Sequence, residues 1–131
     1  MAAKPENNFI ASVHKHLVRQ VYSEKMYNPL RGGTPDVYYE GGRHLWVEYK
    51  FIVLPKRPTT PVRAKLSELQ KLWLRRCYDS TGRASVIVGC KAGGVVLRTP
   101  EEWEKELTTA AFSERVQRRD EIARYIERVV L

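Results

Sequence analysis

Asp36, Glu48 and Lys50 are the residues of this sequence whose types and spacing best suit catalysis. They border two short apolar runs, residues 37–39 and 45–47, which flank a glycine pair and predict a β-hairpin. Side chains alternate between the two faces of a strand, so Glu48 and Lys50 share one face. With Asp36 across the hairpin, these groups would form a site for a divalent cation and an anionic substrate.

The register of the hairpin decides whether Asp36 and Glu48 meet. A two-residue turn at the glycine pair would place Asp36 opposite Val47, whereas a three-residue loop from Gly41 to Arg43, or a bulge, would place it opposite Glu48. We predict the second arrangement, because only then do both carboxylates reach one ion. Two carboxylates that close repel each other unless a cation or a proton lies between them. A salt bridge with Lys50 is the alternative that needs no metal.

The composition is that of one folded domain with a strong positive charge. The 131 residues, 43% of them hydrophobic, suffice for a single core spanning residues 1–131. The net charge of +8 predicts a polyanionic partner, most commonly nucleic acid, although it fits a simple binder equally well. No apolar run approaches the length of a membrane span, residues 1–8 lack the apolar core of a secretory signal, and Cys77 and Cys90 indicate buried thiols in a reducing cytosol. We therefore expect a cytoplasmic protein that does not contact membranes.

Periodicity predicts the elements around the hairpin. In order they are a helix bearing Phe9, Ile10, Val13 and Leu17; a connection over 22–33; the hairpin; a helix from Leu66 to about Tyr78; a strand over 84–90 paired with 93–98; a short helix to Leu107; and a last helix from about Ser113. The order α-β-β-α-β-β-α-α indicates a mixed α/β (α+β) fold, with a central mixed sheet of about four strands flanked by helices.

Two residues outside the hairpin, Glu6 and Gln70, are candidates for the site but also have structural explanations. Glu6 lies in the first turn of the first helix, where an anion complements the helix dipole. Ser67 and Gln70 match a capping box, so Gln70 has a purely structural explanation. For the helix that Gln70 opens, the predicted buried stripe consists of Leu66, Leu69, Leu72, Trp73 and Cys77.

The segment after the hairpin, residues 55–65, combines prolines with basic residues. Its prolines exclude regular structure, and its basic residues are Lys56, Arg57, Arg63 and Lys65. A solvated loop is one explanation; a loop that grips phosphate beside the acidic site, together with Arg31, is the other. His14 and His16 lie on different faces of the first helix, so we expect solvated or groove-facing histidines rather than a shared metal site.

Pro35-Asp36, followed after eleven residues by Glu48-Tyr49-Lys50, resembles the signature of the PD-(D/E)XK nuclease superfamily. The glycines before this motif, its place on a hairpin, and Leu66-Ser67-x-x-Gln70 at the start of the next helix resemble the VRR-type nuclease branch. That branch includes small phage-borne members related to Holliday junction resolvases. The resemblance covers about residues 6–97, and the C-terminal helices, about residues 100–131, lie outside it.

The resemblance implies a restriction-endonuclease-like core and a metal-dependent DNA endonuclease that leaves 5′-phosphate ends. Asp36, Glu48 and the backbone carbonyl of Tyr49 would bind Mg²⁺ or Mn²⁺, and Lys50 and Gln70 would act on the water and the phosphate. Glu6 matches a glutamate that members of this branch often carry on the first helix, and it would complete the metal site. No small-molecule cofactor is implied.

By analogy with junction resolvases, we expect selectivity for branched DNA and a homodimer, located in the host cytoplasm if the protein is encoded by a phage. The apolar face of the last helix is the candidate interface, and packing against its own sheet is an equal alternative. A non-catalytic nucleic-acid-binding module on a nuclease fold is the second functional hypothesis. A sequence-specific restriction-type endonuclease is the third.

Overall fold

The computed structural model describes residues 4–27 and 32–131 of the chain. In these residues the elements are, in chain order, α1 (Lys4–His14), β1 (Tyr22–Lys25), β2 (Val37–Glu40), β3 (His44–Phe51), β4 (Pro61–Val62), α2 (Glu68–Thr81), β5 (Ala84–Cys90), β6 (Gly93–Leu97), α3 (Pro100–Glu104), β7 (Leu107–Thr108), α4 (Thr109–Glu114) and α5 (Arg119–Val130). None of the helices in this part of the chain is long and apolar enough to cross a bilayer.

The described strands form a central five-stranded sheet in the order β1-β2-β3-β5-β6, and β4 pairs with β7 in a small separate sheet. β3 and β5 run parallel while the other neighbours run antiparallel, so the central sheet is mixed, as predicted. Buried residues of α1 and α5 cover one face, and those of α2, α3 and α4 cover the other. The predicted hairpin of β5 and β6 is confirmed, with Cys90 paired to Gly93.

β1 is the strand that the sequence did not reveal, because residues 22–25 lie in the segment interpreted as a connection. Three of its four residues are exposed, so it lacks the alternating apolar pattern that identifies a half-buried strand. Backbone pairing with β2, from Tyr22 opposite Glu40 to Lys25 opposite Val37, holds it at the edge of the sheet. The central sheet therefore has one strand more than expected.

α5 packs against its own sheet. Ile122, Ile126 and Val130 are fully buried in the cluster that α1 and the sheet also build. Of the two equal alternatives for this helix, intramolecular packing is the one observed, so its apolar face is not free for a second copy. The helix also begins at Arg119 rather than near Ser113, which belongs to the separate short helix α4.

The proline-rich loop contains a short strand, contrary to the expectation that it has no regular structure. Pro61–Val62 pairs with Leu107–Thr108, and a proline is tolerated there because the strand lies at an edge. The chain is already extended at Lys105, so α3 ends at Glu104 rather than at the predicted Leu107.

The predicted buried stripe of α2 is correct in part, since Leu66 and Cys77 pack against the core and Trp73 packs on Trp46. Leu69 and Leu72 are 56% and 67% exposed, whereas Leu74, which was not in the predicted stripe, is fully buried. The helix is rotated so that Gln70 and, one turn later, Leu74 face the sheet. The spacing predicted the helix correctly but assigned the wrong leucines to the core.

Candidate active site

The hairpin of β2 and β3 has the register that the candidate site requires. A three-residue loop, Gly41 to Arg43, separates the paired residues Glu40 and His44. Val37 pairs with Val47, so the next position along each strand places Asp36 opposite Glu48, as predicted. A Cβ atom on Gly41 would lie 2.7 Å from the carbonyl oxygen of Val130. The end of α5 therefore requires a glycine in this loop.

Asp36 is positioned by the backbone of β3, and Glu48 by a side chain of α2. The backbone N–H of Tyr49 donates a hydrogen bond to Asp36 Oδ2 at 2.8 Å. Glu48 is only 3% exposed, although it carries a carboxylate. On the same face of β3, the ring of Trp46 packs against that of Trp73 on α2, with 4.9 Å between the centroids. This aromatic contact fixes α2 over the acidic residues.

Gln70 links the helix cap to the acidic cluster. Its Oε1 accepts hydrogen bonds from the backbone N–H of Ser67 at 2.9 Å and from Lys50 Nζ at 3.2 Å. Its Nε2 donates to Glu48 Oε2 at 3.0 Å, and Ser67 Oγ caps the backbone N–H of Gln70 in return. The capping box predicted from the sequence is confirmed. The same amide also contacts both the acid and the amine of the candidate site, so capping and a role in the site are compatible.

The cluster carries more negative charge than its lysine can balance. Lys50 Nζ lies 3.6 Å from Glu48 Oε2, which is the salt bridge considered above. Burial raises the pKa of Glu48 to about 9, and the charge of Asp36 adds to this, while Lys50 opposes it. Burial also raises the pKa of Asp36 above its usual range, against the stabilising N–H of Tyr49. A proton shared by the two carboxyl groups would relieve this excess, and so would a cation.

Glu6 approaches the same cluster from α1. Burial raises its pKa to about 7, and the charge of Asp36 adds to this effect, whereas Lys50 and Lys25 oppose it. Glu6 in turn contributes to the raised pKa of Glu48. The dipole explanation of Glu6 still holds for a residue in the first turn of α1, but the charge of Glu6 is also felt by both hairpin acids.

The donor set fits a hard divalent cation. Among the described residues, Glu48 Oε1 is buried without a hydrogen-bond partner. Carboxylate and carbonyl oxygens are the ligands that Mg²⁺ and Mn²⁺ prefer. The predicted carbonyl ligand belongs to the peptide that joins Tyr49 to Lys50. Within residues 4–27 and 32–131, no three acidic, histidine or cysteine side chains are close enough to hold a metal by themselves. A cation here would therefore rely on Asp36, Glu48, backbone oxygen and water.

The basic loop, residues 55–65, lies in the chain between two elements of this site. It follows β3, which carries Lys50, and precedes α2, which carries Gln70. Its four predicted DNA-binding residues, Lys56, Arg57, Arg63 and Lys65, are all exposed. Arg63 donates to Glu106 Oε2 at 2.6 Å, and the other three are not paired in this way with any acid among the described residues. Arg31, the fifth predicted residue, lies outside the described residues.

Sequence reasoning missed Lys25 and misjudged His14. Lys25 lies on β1, lowers the pKa of Glu6 and Asp36, and donates to Asn7 Oδ1 at 2.9 Å. No pattern could have revealed it, because β1 itself has no strand signature. His14 was expected to be solvated or groove-facing. Instead, it is half-buried, and its Nε2 lies 2.7 Å from the hydroxyl of Tyr39. Burial lowers the pKa of His14 to about 4, so it is neutral at pH 7.

No protein-family model matches this chain, and no curated protein is detectably similar to it.

Proposed function

We propose that this protein is a metal-dependent DNA endonuclease with an active site of the PD-(D/E)XK type. The observation that carries the proposal is the meeting of Asp36 and Glu48 across the hairpin, with Lys50 and Gln70 bonded into the same cluster. Glu48 Oε1 is a buried carboxyl oxygen without a hydrogen-bond partner among the described residues, which is costly for folding and leaves the oxygen available to bind a cation. A structural salt bridge needs only Lys50 and Glu48. The second carboxyl group nearby, that of Asp36, therefore favours a further role for the cluster.

Each residue of the cluster has a distinct part in phosphodiester hydrolysis. When bound, Mg²⁺ or Mn²⁺ would polarise the scissile phosphate and lower the pKa of a coordinated water. Asp36 and Glu48 would provide the anionic oxygen ligands, with the carbonyl of Tyr49 as a further ligand, and the nearby charge of Glu6 on α1 would help to attract the ion.

Lys50 and Gln70 act on the substrate side of the cluster. Lys50 is a mobile point charge that orients the attacking water and stabilises negative charge growing on the phosphate oxygens. Gln70 accepts from the amine of Lys50 through its Oε1 and donates to Glu48 through its Nε2. It therefore fixes the distance between the carboxyl group of Glu48 and the amine of Lys50. Its own position is set by the capping box of α2. Holding these groups in place before the substrate arrives reduces the reorganisation needed during the reaction.

The charge of the chain and of its loop favours a nucleic acid as the substrate. The net charge is +8, and the basic loop connects β3 to α2, the two elements that carry Lys50 and Gln70. Contacts between such residues and phosphates position a duplex without reading its sequence, and they weaken steeply as salt rises. We propose DNA as the substrate, with a preference for branched forms and cleavage by a homodimer. Both of these finer proposals come from the resemblance to junction resolvases.

One cleavage experiment tests the proposal. Supercoiled plasmid, linear duplex, single strand and four-way junction are each incubated with the protein in Mg²⁺, Mn²⁺ or EDTA. We expect cleavage in the presence of either metal and none in EDTA. Glu48→Gln and Lys50→Ala should abolish cleavage with little change in DNA binding. Glu40→Gln, an exposed glutamate on the same hairpin, is the matched control and should cut normally.

The outcomes separate the proposed function from its alternatives. Salt-sensitive DNA binding without cleavage under any metal would indicate a non-catalytic binding module. Cleavage confined to one short sequence would indicate a restriction-type enzyme. Cleavage by Glu48→Gln at the wild-type rate would show that these residues do not have the roles assigned here.

A further inference from the structure

A groove of about 730 Å³ opens where β3 leaves the sheet. The apolar part of its lining, here called the floor, includes Phe51, Ile52 and Val53, the three residues that directly follow Lys50. Phe51 and Ile52 are half-buried. Val53 is 90% exposed, the largest exposure among the large apolar side chains that are exposed in the described part of the chain.

The rim of the groove has the opposite chemistry. Arg63 and Lys65, two exposed residues of the basic loop, line it together with one acid, Glu106. Arg63 is paired with Glu106, but 60% and 49% of these two side chains are exposed. An ion pair exposed to this extent contributes little and exchanges readily for another anion. The rim can therefore offer two cations to a phosphate backbone, while Glu106 weakens their attraction.

The groove lies within reach of the candidate active site. Consecutive residues span at most about 3.6 Å each, so Val53 is no more than about 11 Å from Lys50 along the chain. A strand whose phosphate lies at Lys50 can therefore reach the groove with a neighbouring nucleotide. Proteins bind single-stranded nucleic acid with a positively charged groove that follows the backbone and with side chains, chiefly aromatic ones such as Phe51, on which bases stack.

We propose that this groove, formed by Phe51, Ile52 and Val53 below Arg63 and Lys65, binds unpaired nucleobases next to the phosphate that is cleaved. The inference rests on the proposed nuclease function and specifies its substrate as DNA with an unpaired segment at the site of cleavage. Paired bases are stacked in a duplex and present only their edges in the grooves, so an intact duplex cannot place base faces on this floor. An unpaired base can do so without the cost of breaking a pair.

The test compares two substitutions of the same kind at two exposed valines. Val53→Gln removes the apolar contact at the floor without changing charge. Val18→Gln, at a residue 37% exposed that does not line the groove, is the matched control. Binding is measured by fluorescence anisotropy in Mg²⁺, in a Glu48→Gln background that prevents cleavage. The two probes are a duplex and the same duplex with an unpaired extension on one strand.

Val53→Gln should weaken binding of the probe with the extension about fivefold, which corresponds to losing part of the burial of one valine side chain. Duplex binding should stay within twofold of the reference, as should both probes with Val18→Gln. Glu106→Gln should tighten binding of the extended probe, because it leaves Arg63 free for phosphate. Equal effects of Val53→Gln on both probes, or no effect on either, would overturn the inference.

Failure of this inference can be told apart from failure of the proposed function. The nuclease proposal fails if the wild-type protein cuts none of the DNA forms with either metal. The groove is tested by binding alone, so its result is informative in either case. If Val53→Gln acts on the extended probe in a protein that cuts nothing, the groove is a single-strand site of a binding module, and the cleavage part of the inference is overturned.

Discussion

Replacing Glu48 by glutamine should abolish the proposed activity and at the same time stabilise the protein in EDTA. Glu48 is 3% exposed, its Oε1 has no hydrogen-bond partner among the described residues, and its Oε2 accepts from Gln70. Glutamine has nearly the same shape. Its carbonyl oxygen can keep the bond from Gln70, and its amide N–H groups can donate to Asp36, where the wild-type protein must hold a proton between the two acids.

The size of the effect depends on pH. Above about pH 4.5 the folded wild-type protein must either leave a buried carboxylate oxygen unsatisfied, at a cost of about 1–3 kcal/mol, or take up a proton from solution, and glutamine does neither. The pKa of Glu48 is about 9 in the folded protein, against an ordinary value of 4.5. Between these values the folded protein holds a proton that the unfolded chain has released, so the wild-type protein loses stability as pH rises through this window. Below about pH 4.5 both states are protonated, and the advantage of glutamine should disappear.

Thermal unfolding in EDTA at pH 5 and pH 8 measures this difference. We expect Glu48→Gln to melt at nearly the wild-type temperature at pH 5 and about 4–12 °C higher at pH 8, from about 4 °C per kcal/mol for a domain of this size. Mg²⁺ at pH 8 should raise the melting temperature of the wild-type protein but not that of the variant, since only the former gains a bound ligand. Glu40→Gln is the control and should show no pH-dependent gain. A variant that melts below the wild-type protein at pH 8 in EDTA would refute the reasoning, as would a gain of the same size at both pH values.

Two further predictions concern the groups around this acid. Ser67→Ala removes the side-chain cap of α2, and Gln70→Ala removes the reciprocal hydrogen bond from the backbone N–H of Ser67, so each should lower the free energy of unfolding by about 1 kcal/mol. Only Gln70→Ala should also reduce cleavage more than tenfold. Equal cleavage by the two variants, measured where both are fully folded, would assign Gln70 to the capping box alone. Glu6→Gln should raise the Mg²⁺ concentration needed for half-maximal cleavage several-fold, since it removes a nearby charge or ligand. The exposed control Glu24→Gln should not change this concentration. An unchanged Mg²⁺ dependence in Glu6→Gln would leave Glu6 only the role of complementing the helix dipole in the first turn of α1.

Features of the site that depend on neighbouring residues could be predicted from the sequence. Strand alternation placed Glu48 and Lys50 on one face. The sequence allowed two lengths for the hairpin loop, and the three-residue loop was predicted because only that register brings Asp36 opposite Glu48. The capping box at Gln70 was likewise predictable, because a cap involves residues three apart. Local patterns of this kind are enforced by backbone geometry whatever the rest of the chain does.

Predictions from the sequence were less reliable where distant segments decide whether an edge strand forms or which side of a helix is buried. β1 has no apolar alternation, because only pairing with β2 holds it in the sheet. The leucines of α2 were assigned to the wrong face, since spacing predicts a helix but not which side meets the sheet. The apolar face of α5 suited a second copy as well as its own sheet, and only the packed structure shows the latter.

The electrostatics of the site depend on segments that are brought together by folding. Glu6 lies thirty residues before Asp36 in the sequence, and its charge reaches the hairpin acids only because α1 packs against the sheet. The burial of Glu48 depends in the same way on α2 lying over β3. Charge interactions and desolvation depend on distance and on the exclusion of water, and both are set by segments that meet only when the chain has folded.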